Sequence, residues 1–199
     1  LFGDNTSGSP YVDQYDIYTF LDENGNVEGT TECYESGSVT YSGKLDEDTG
    51  KGTITVDYDQ CIQYYDSTRY DGQFSLVITD AGENSSEVTS YFTTLSMLDG
   101  GVRTTLKGYL SVDFRYRPQT GTFYEETRQY LTVTHNGETY KVSGTSAEGV
   151  TNNTFVSELN GSIYIASKGK LDFAYSSDQG DLPYSSSGSL VVKGDKTAG

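Results

Sequence analysis

Along most of its length this chain repeats one pattern: apolar and polar side chains alternate over four to eight residues, and then a turn signal appears. Ile54, Val56 and Tyr58 alternate with Thr53, Thr55 and Asp57, and Leu110, Val112, Phe114 and Tyr116 alternate with Ser111, Asp113, Arg115 and Arg117. Ile163 and Ile165, then Leu171, Phe173 and Tyr175, continue the pattern. A period of two sends successive side chains to opposite faces, as a half-buried strand requires. Asn24-Gly25, Asp99-Gly100, Asn136-Gly137 and Asn160-Gly161 accept the positive φ angles of tight turns and read as hairpin tips. Asp48-Thr49-Gly50, Pro118 to Gly121 and Ser167-Lys168-Gly169 supply further reversals. Parallel pairing needs long crossovers, and none is present. The expected fold is therefore all-β, an antiparallel meander of about a dozen strands with little or no helix. Alternation alone does not separate a curled sheet or half-barrel from a barrel-like sandwich.

Two stretches admit a second reading. Val88, Tyr91, Phe92, Leu95 and Leu98 fall at helical spacing, but Ser, Thr and aromatic residues crowd the segment and favour a strand. A motif of Gly, any residue, apolar, any residue, apolar begins at Gly37, Gly52, Gly72, Gly108, Gly161, Gly169 and Gly188. It reads as glycine easing bends at strand starts, ahead of an internal repeat, because the later intervals break the period.

The apolar supply limits what such strands can enclose. Leu, Ile, Val and Phe make up about 21% of the 199 residues, close to the level below which charged chains stay unfolded. Eighteen Tyr add large rings whose hydroxyls can stay wet. A thin core under a broad sheet suits this composition. The expected organisation is one domain over residues 1–199. The start at Leu1 and the polar end at Gly194 to Gly199 fit a trimmed or mature chain.

A formal net charge of −16 repels phosphate backbones and anionic bilayers, which argues against nucleic acid and leaves divalent cations, basic proteins and neutral glycans open as partners. No run of about 18 apolar residues is present to form a membrane-spanning helix. A membrane barrel strand over residues 122–134 would place Glu125 and Gln129 beside Phe123 and Leu131, and Glu126 and Arg128 on the other face, so neither face suits lipid. The two cysteines, Cys33 and Cys61, are expected to form a disulfide in an extracytoplasmic setting, whether secreted, periplasmic or cell-surface. Buried free thiols in a cytosolic protein are the other reading. A bridge over 28 residues is worth roughly 3–4 kcal/mol in the chain-entropy model.

Catalytic signals are sparse, and the expectation is that the chain is not an enzyme. The single histidine, His135, sits beside Asn136-Gly137 at a hairpin tip, which orients a catalytic imidazole poorly. Adjacent Glu125 and Glu126 point to opposite faces, so they do not make a glycosidase pair. Asp22 to Glu28 resembles a calcium loop only in part and reads as a plain turn. No metal site and no cofactor are expected. Arg115 and Arg117 form a basic spot best explained by pairing with nearby acids, and Asn5, Asn84 and Asn152 head N-x-Ser/Thr sequons. The densest aromatic stretch runs from Tyr58 to Asp71, and Tyr58, Tyr64, Tyr65, Arg69 and Tyr70 are its candidate ligand-binding residues. Tyrosines packing along sheet faces are the plainer explanation of the same stretch.

In its acidic, Tyr-rich, Cys-poor character the chain resembles envelope-exposed domains of bacterial secreted proteins and lipoproteins. That resemblance assigns no role to any residue. The expected function is a non-catalytic binding or structural module of the cell envelope, acting through a Tyr-rich sheet surface. The alternative is a carrier holding a lipid or other apolar ligand on the concave side of a curled sheet, with a carbohydrate-active hydrolase third.

Overall fold

The structure is a computed structural model and describes residues 17, 19–62, 67–151, 154–179 and 187–194. Among the described residues eleven strands follow one another: β1 (Asn26–Glu32), β2 (Ser36–Leu45), β3 (Gly52–Ile62), β4 (Arg69–Gly82), β5 (Ser85–Asp99), β6 (Val102–Arg117), β7 (Thr122–His135), β8 (Glu138–Thr151), β9 (Thr154–Ile165), β10 (Gly169–Gln179) and β11 (Ser187–Gly194). They form one sheet in sequence order, every neighbouring pair antiparallel, curled but not closed into a barrel. The segment with helical spacing is strand β5, in register with β4 and β6 along most of its length.

Most of the expected turns are where the sequence puts them, with local chemistry that explains each. Asn136-Gly137 joins β7 to β8 with positive φ at both residues. Between β5 and β6 the tight turn is Gly100-Gly101, one residue later than Asp99-Gly100. Asn160-Gly161 is a correction: it lies inside β9, paired with Thr145 and Gly144 on one side and with Ala174 and Phe173 on the other. The glycine serves packing there. A Cβ on Gly161 would sit 2.6 Å from the Ser143 carbonyl oxygen and 2.7 Å from the tip of the Phe173 ring.

The glycine motif also has a mechanical cause. Gly37 and Gly72 adopt positive φ where the register slips, between Ser36 and Ser38 and between Asp71 and Phe74. Such bulges bend a strand and sharpen its twist, which lets a long meander curl.

Register sorts the side chains into two faces. On one, Val27, Val39, Tyr41, Ile54, Val56, Tyr58, Phe74 and Leu76 form a buried cluster with Cys33, Cys61, Tyr70 and Leu95. Ile17 belongs to this cluster, and Phe20 and Leu21 pack against it, so these residues lie over the sheet. The Phe20 ring rests directly on Gly29, where any Cβ would fall 2.0 Å from a ring carbon. The disulfide Cys33–Cys61, with Cα atoms 5.5 Å apart, ties the β1–β2 turn to β3.

The burial is one-sided along the chain as well. Every described buried hydrophobic residue lies at or before Leu95, and none belongs to β6–β11. Among the described residues the hydrophobic side chains of β6–β11 are half-buried or exposed. No described helix is long and apolar enough to cross a membrane.

Candidate functional site

The candidate ligand-binding residues divide. Tyr58 and Tyr70 are 2% and 4% exposed, with ring centroids 5.7 Å apart, and Tyr58 also stacks on Phe74. Burial, with Tyr41 and Tyr70 beside it, pushes the Tyr58 hydroxyl well above the ordinary phenol range. These two tyrosines are core residues and present no surface to a ligand. Arg69 is half-buried in β4, opposite Ile62 and Leu98. Tyr64 and Tyr65 lie outside the described residues.

A different tyrosine row is exposed. On the polar face Tyr91 of β5 opposes Tyr109 of β6, and Tyr109 opposes Tyr130 of β7. Their ring centroids are 6.2 and 6.4 Å apart, and the planes of Tyr109 and Tyr130 differ by only 24°. The three rings are 49%, 38% and 53% exposed. The same rung continues through Ser143, Ser162 and Asp172 on β8, β9 and β10.

The drop in side-chain size along this rung creates a depression. Tyr109 and Tyr130 wall one side, the small Ser143 and Ser162 leave space beside them, and Asp172 stands beyond. Arg128, Thr145 and Asn160, adjacent on the next rung, flank it, and the volume is about 420 Å³. That falls within the range of small-ligand sites, though this one is shallow and open. Its polar groups are partly engaged already: Ser143 Oγ and Ser162 Oγ are 3.0 Å apart, Arg128 pairs with Glu126, and Asp172 pairs with Lys170 at 2.8 Å. The lining side chains contribute one positive and one negative charge, so the depression is neutral and rich in hydroxyl and amide groups.

Other candidate chemistry resolves into local structure. Asp22 accepts hydrogen bonds from the Asn24 and Asn26 amides and from the Asn26 side chain, and these hold its carboxyl below the usual range. Its oxygens thus organise the turn before β1. His135 Nδ1 lies 2.8 Å from Thr104 Oγ1 at the end of β7. Arg115 pairs with Asp113 through two hydrogen bonds. Glu125 opposes Glu148 across β7 and β8, a juxtaposition that only register reveals.

The exposed tyrosine row is invisible to local sequence reading because its members are 18 and 21 residues apart. Its one sequence signal is a tyrosine recurring on the polar side of successive alternating strands. No family model, curated protein or solved structure matches the chain.

Proposed function

We propose that this chain is a non-catalytic binding module that takes neutral glycans on the polar face of β5–β10. The observation that carries the reading is the Tyr109–Tyr130 wall beside a neutral floor of Ser143, Ser162, Thr145 and Asn160. Sugar rings have apolar C–H faces and hydroxyl rims. A tyrosine face meets the first, while hydroxyl, amide and charged side chains meet the second. A strongly acidic protein gains nothing from charge in recognising a neutral polymer, which fits a neutral depression. Work outside the cell, in an oxidising compartment, is part of the proposal, and the disulfide supports it.

The carrier alternative draws less support. The apolar face of β6–β11 is open, so an acyl chain lying on it would be contacted from one side only.

Affinity electrophoresis and calorimetry against a panel of soluble neutral polysaccharides test the reading. Wild type should be retarded by at least one polymer. Tyr109→Ala and Tyr130→Ala, both at exposed positions, should weaken binding at least about tenfold each, in line with loss of a stacked ring. Binding to no polysaccharide, or equal binding by both variants, contradicts it.

A further inference from the structure

Charge is divided between the halves of this chain as sharply as burial is. Residues 1–99 contain 19 acidic and 3 basic side chains, whereas residues 100–199 contain ten of each. The whole net charge of −16 thus lies in the half that holds the core, and the half without one is neutral.

On the side of β6–β11 opposite the tyrosine row, register assembles an apolar field. Leu131, Val142, Ile163 and Leu171 share one rung, and Leu110 and Phe173 belong to the next. The opposed Glu125 and Glu148 bound the field toward one end. Over β1–β3 the same face is covered by Ile17, Phe20 and Leu21, whereas over β6–β11 its described hydrophobic side chains are half-buried or exposed, with Leu106 packed against the core cluster at one end and Ser177 buried at the other. At the open edge, Leu190 and Val192 of β11 are 65% and 52% exposed.

The dimensions decide what can cover it. Six strands about 4.8 Å apart and four rungs about 6.8 Å apart give a footprint of roughly 780 Å², in which Gln129, Thr127, Ser146 and several glycines interrupt the apolar side chains. Buried on two partners it makes about 1,500 Å², a standard-sized stable interface.

We propose that the occupant is a second copy of this chain, packed face to face through β6–β11 as an isologous pair. The charge division favours this occupant: two copies meet through their neutral halves, and their acidic halves are held apart. Each field then supplies the second layer that the other lacks. The tyrosine rows remain outside on both copies, so the pairing is independent of glycan recognition and presents that site twice.

Sedimentation and light scattering of the whole chain up to about 100 μM test the pairing, since a micromolar interface is populated there. The expected species is a dimer of the 21.8 kDa chain. The double variant Leu171→Lys/Leu190→Lys alters positions 41% and 65% exposed, where the monomer's own packing is little disturbed. It should weaken dimerisation at least tenfold with an unchanged far-ultraviolet spectrum. Ser189→Lys, an exposed position on the other face of β11, should stay dimeric. A monomeric wild type at this concentration, a monomer carrying lipid in native mass spectrometry, or a dimer indifferent to the double variant would each overturn the proposal.

Discussion

The same residue type does opposite work at different places in this protein. Tyr41 and Tyr58 are at most 2% exposed, whereas Tyr109 and Tyr130 stand in water at comparable positions of later strands. Each sits in an alternating run, and the side of the run it takes is the one local signal: Tyr58 is in phase with Ile54 and Val56, Tyr109 with Ser111 and Asp113. What differs is the face: Tyr41 and Tyr58 lie on the core-bearing face of the sheet, and Tyr109 and Tyr130 on the polar face. The disulfide is the opposite case, because two cysteines leave only one intramolecular pairing. Cys33 and Cys61 are 7% and 0% exposed, and their bridge closes a loop of 28 residues within the core-bearing end. Replacing both with Ala should lower stability by about 3–4 kcal/mol on the chain-entropy model. Chemical denaturation of wild type and variant measures this, and a loss below about 1 kcal/mol would show that the unfolded chain is already constrained there.

At the scale of elements, strands were legible and their ends less so. Alternation located the strand runs because a half-buried strand has no other way to sort its side chains. Asn160-Gly161 misleads because the property that suits glycine to a turn, the absent Cβ, also lets the Phe173 ring approach β9. The turns themselves are held by side chains. Asp22 accepts from the Asn26 side chain and the Asn24 and Asn26 amides, Asp46 accepts from the Thr49 hydroxyl and amide, and Glu138 accepts from the Tyr140 and Ser167 hydroxyls. These bonds hold all three carboxyls below their ordinary values of 3.8, 3.8 and 4.5. A carboxyl lowered in the folded state adds stability above its unfolded value, and that stability is lost as the pH falls through the folded value. Asp22→Ala should therefore lower the melting temperature at pH 7 and do so by a smaller margin at a pH below the folded value, where wild type has lost the same interaction. Comparing wild type with variant at each pH cancels the general relief of acidic repulsion. An equal difference at both pH values would show that the carboxylate charge is irrelevant to this turn.

For the whole molecule, the open antiparallel sheet follows from the turns, but its unequal halves do not. Hydrophobic residues are spread along the entire sequence, so counting them suggests a core running from end to end. Among the described residues only the first five strands bury theirs, and Ile17, Phe20 and Leu21 pack onto that cluster. The charge division is legible once the halves are counted separately, and it falls beside the last buried hydrophobic residue, Leu95. One end of the sheet thus holds the fold, while the other offers two open faces, one polar and one apolar.

Native-state hydrogen exchange, read strand by strand on the Leu171→Lys/Leu190→Lys variant to remove any contribution from pairing, tests that division most directly. Exchange reports local opening where few buried contacts hold a strand, and global unfolding where many do. Amides of β2–β4 should exchange at least about a hundredfold more slowly than those of β7–β9, with protection falling away after β5. Equal protection across all eleven strands would contradict the account, since it would mean that β6–β11 are stabilised as firmly as the core-bearing end.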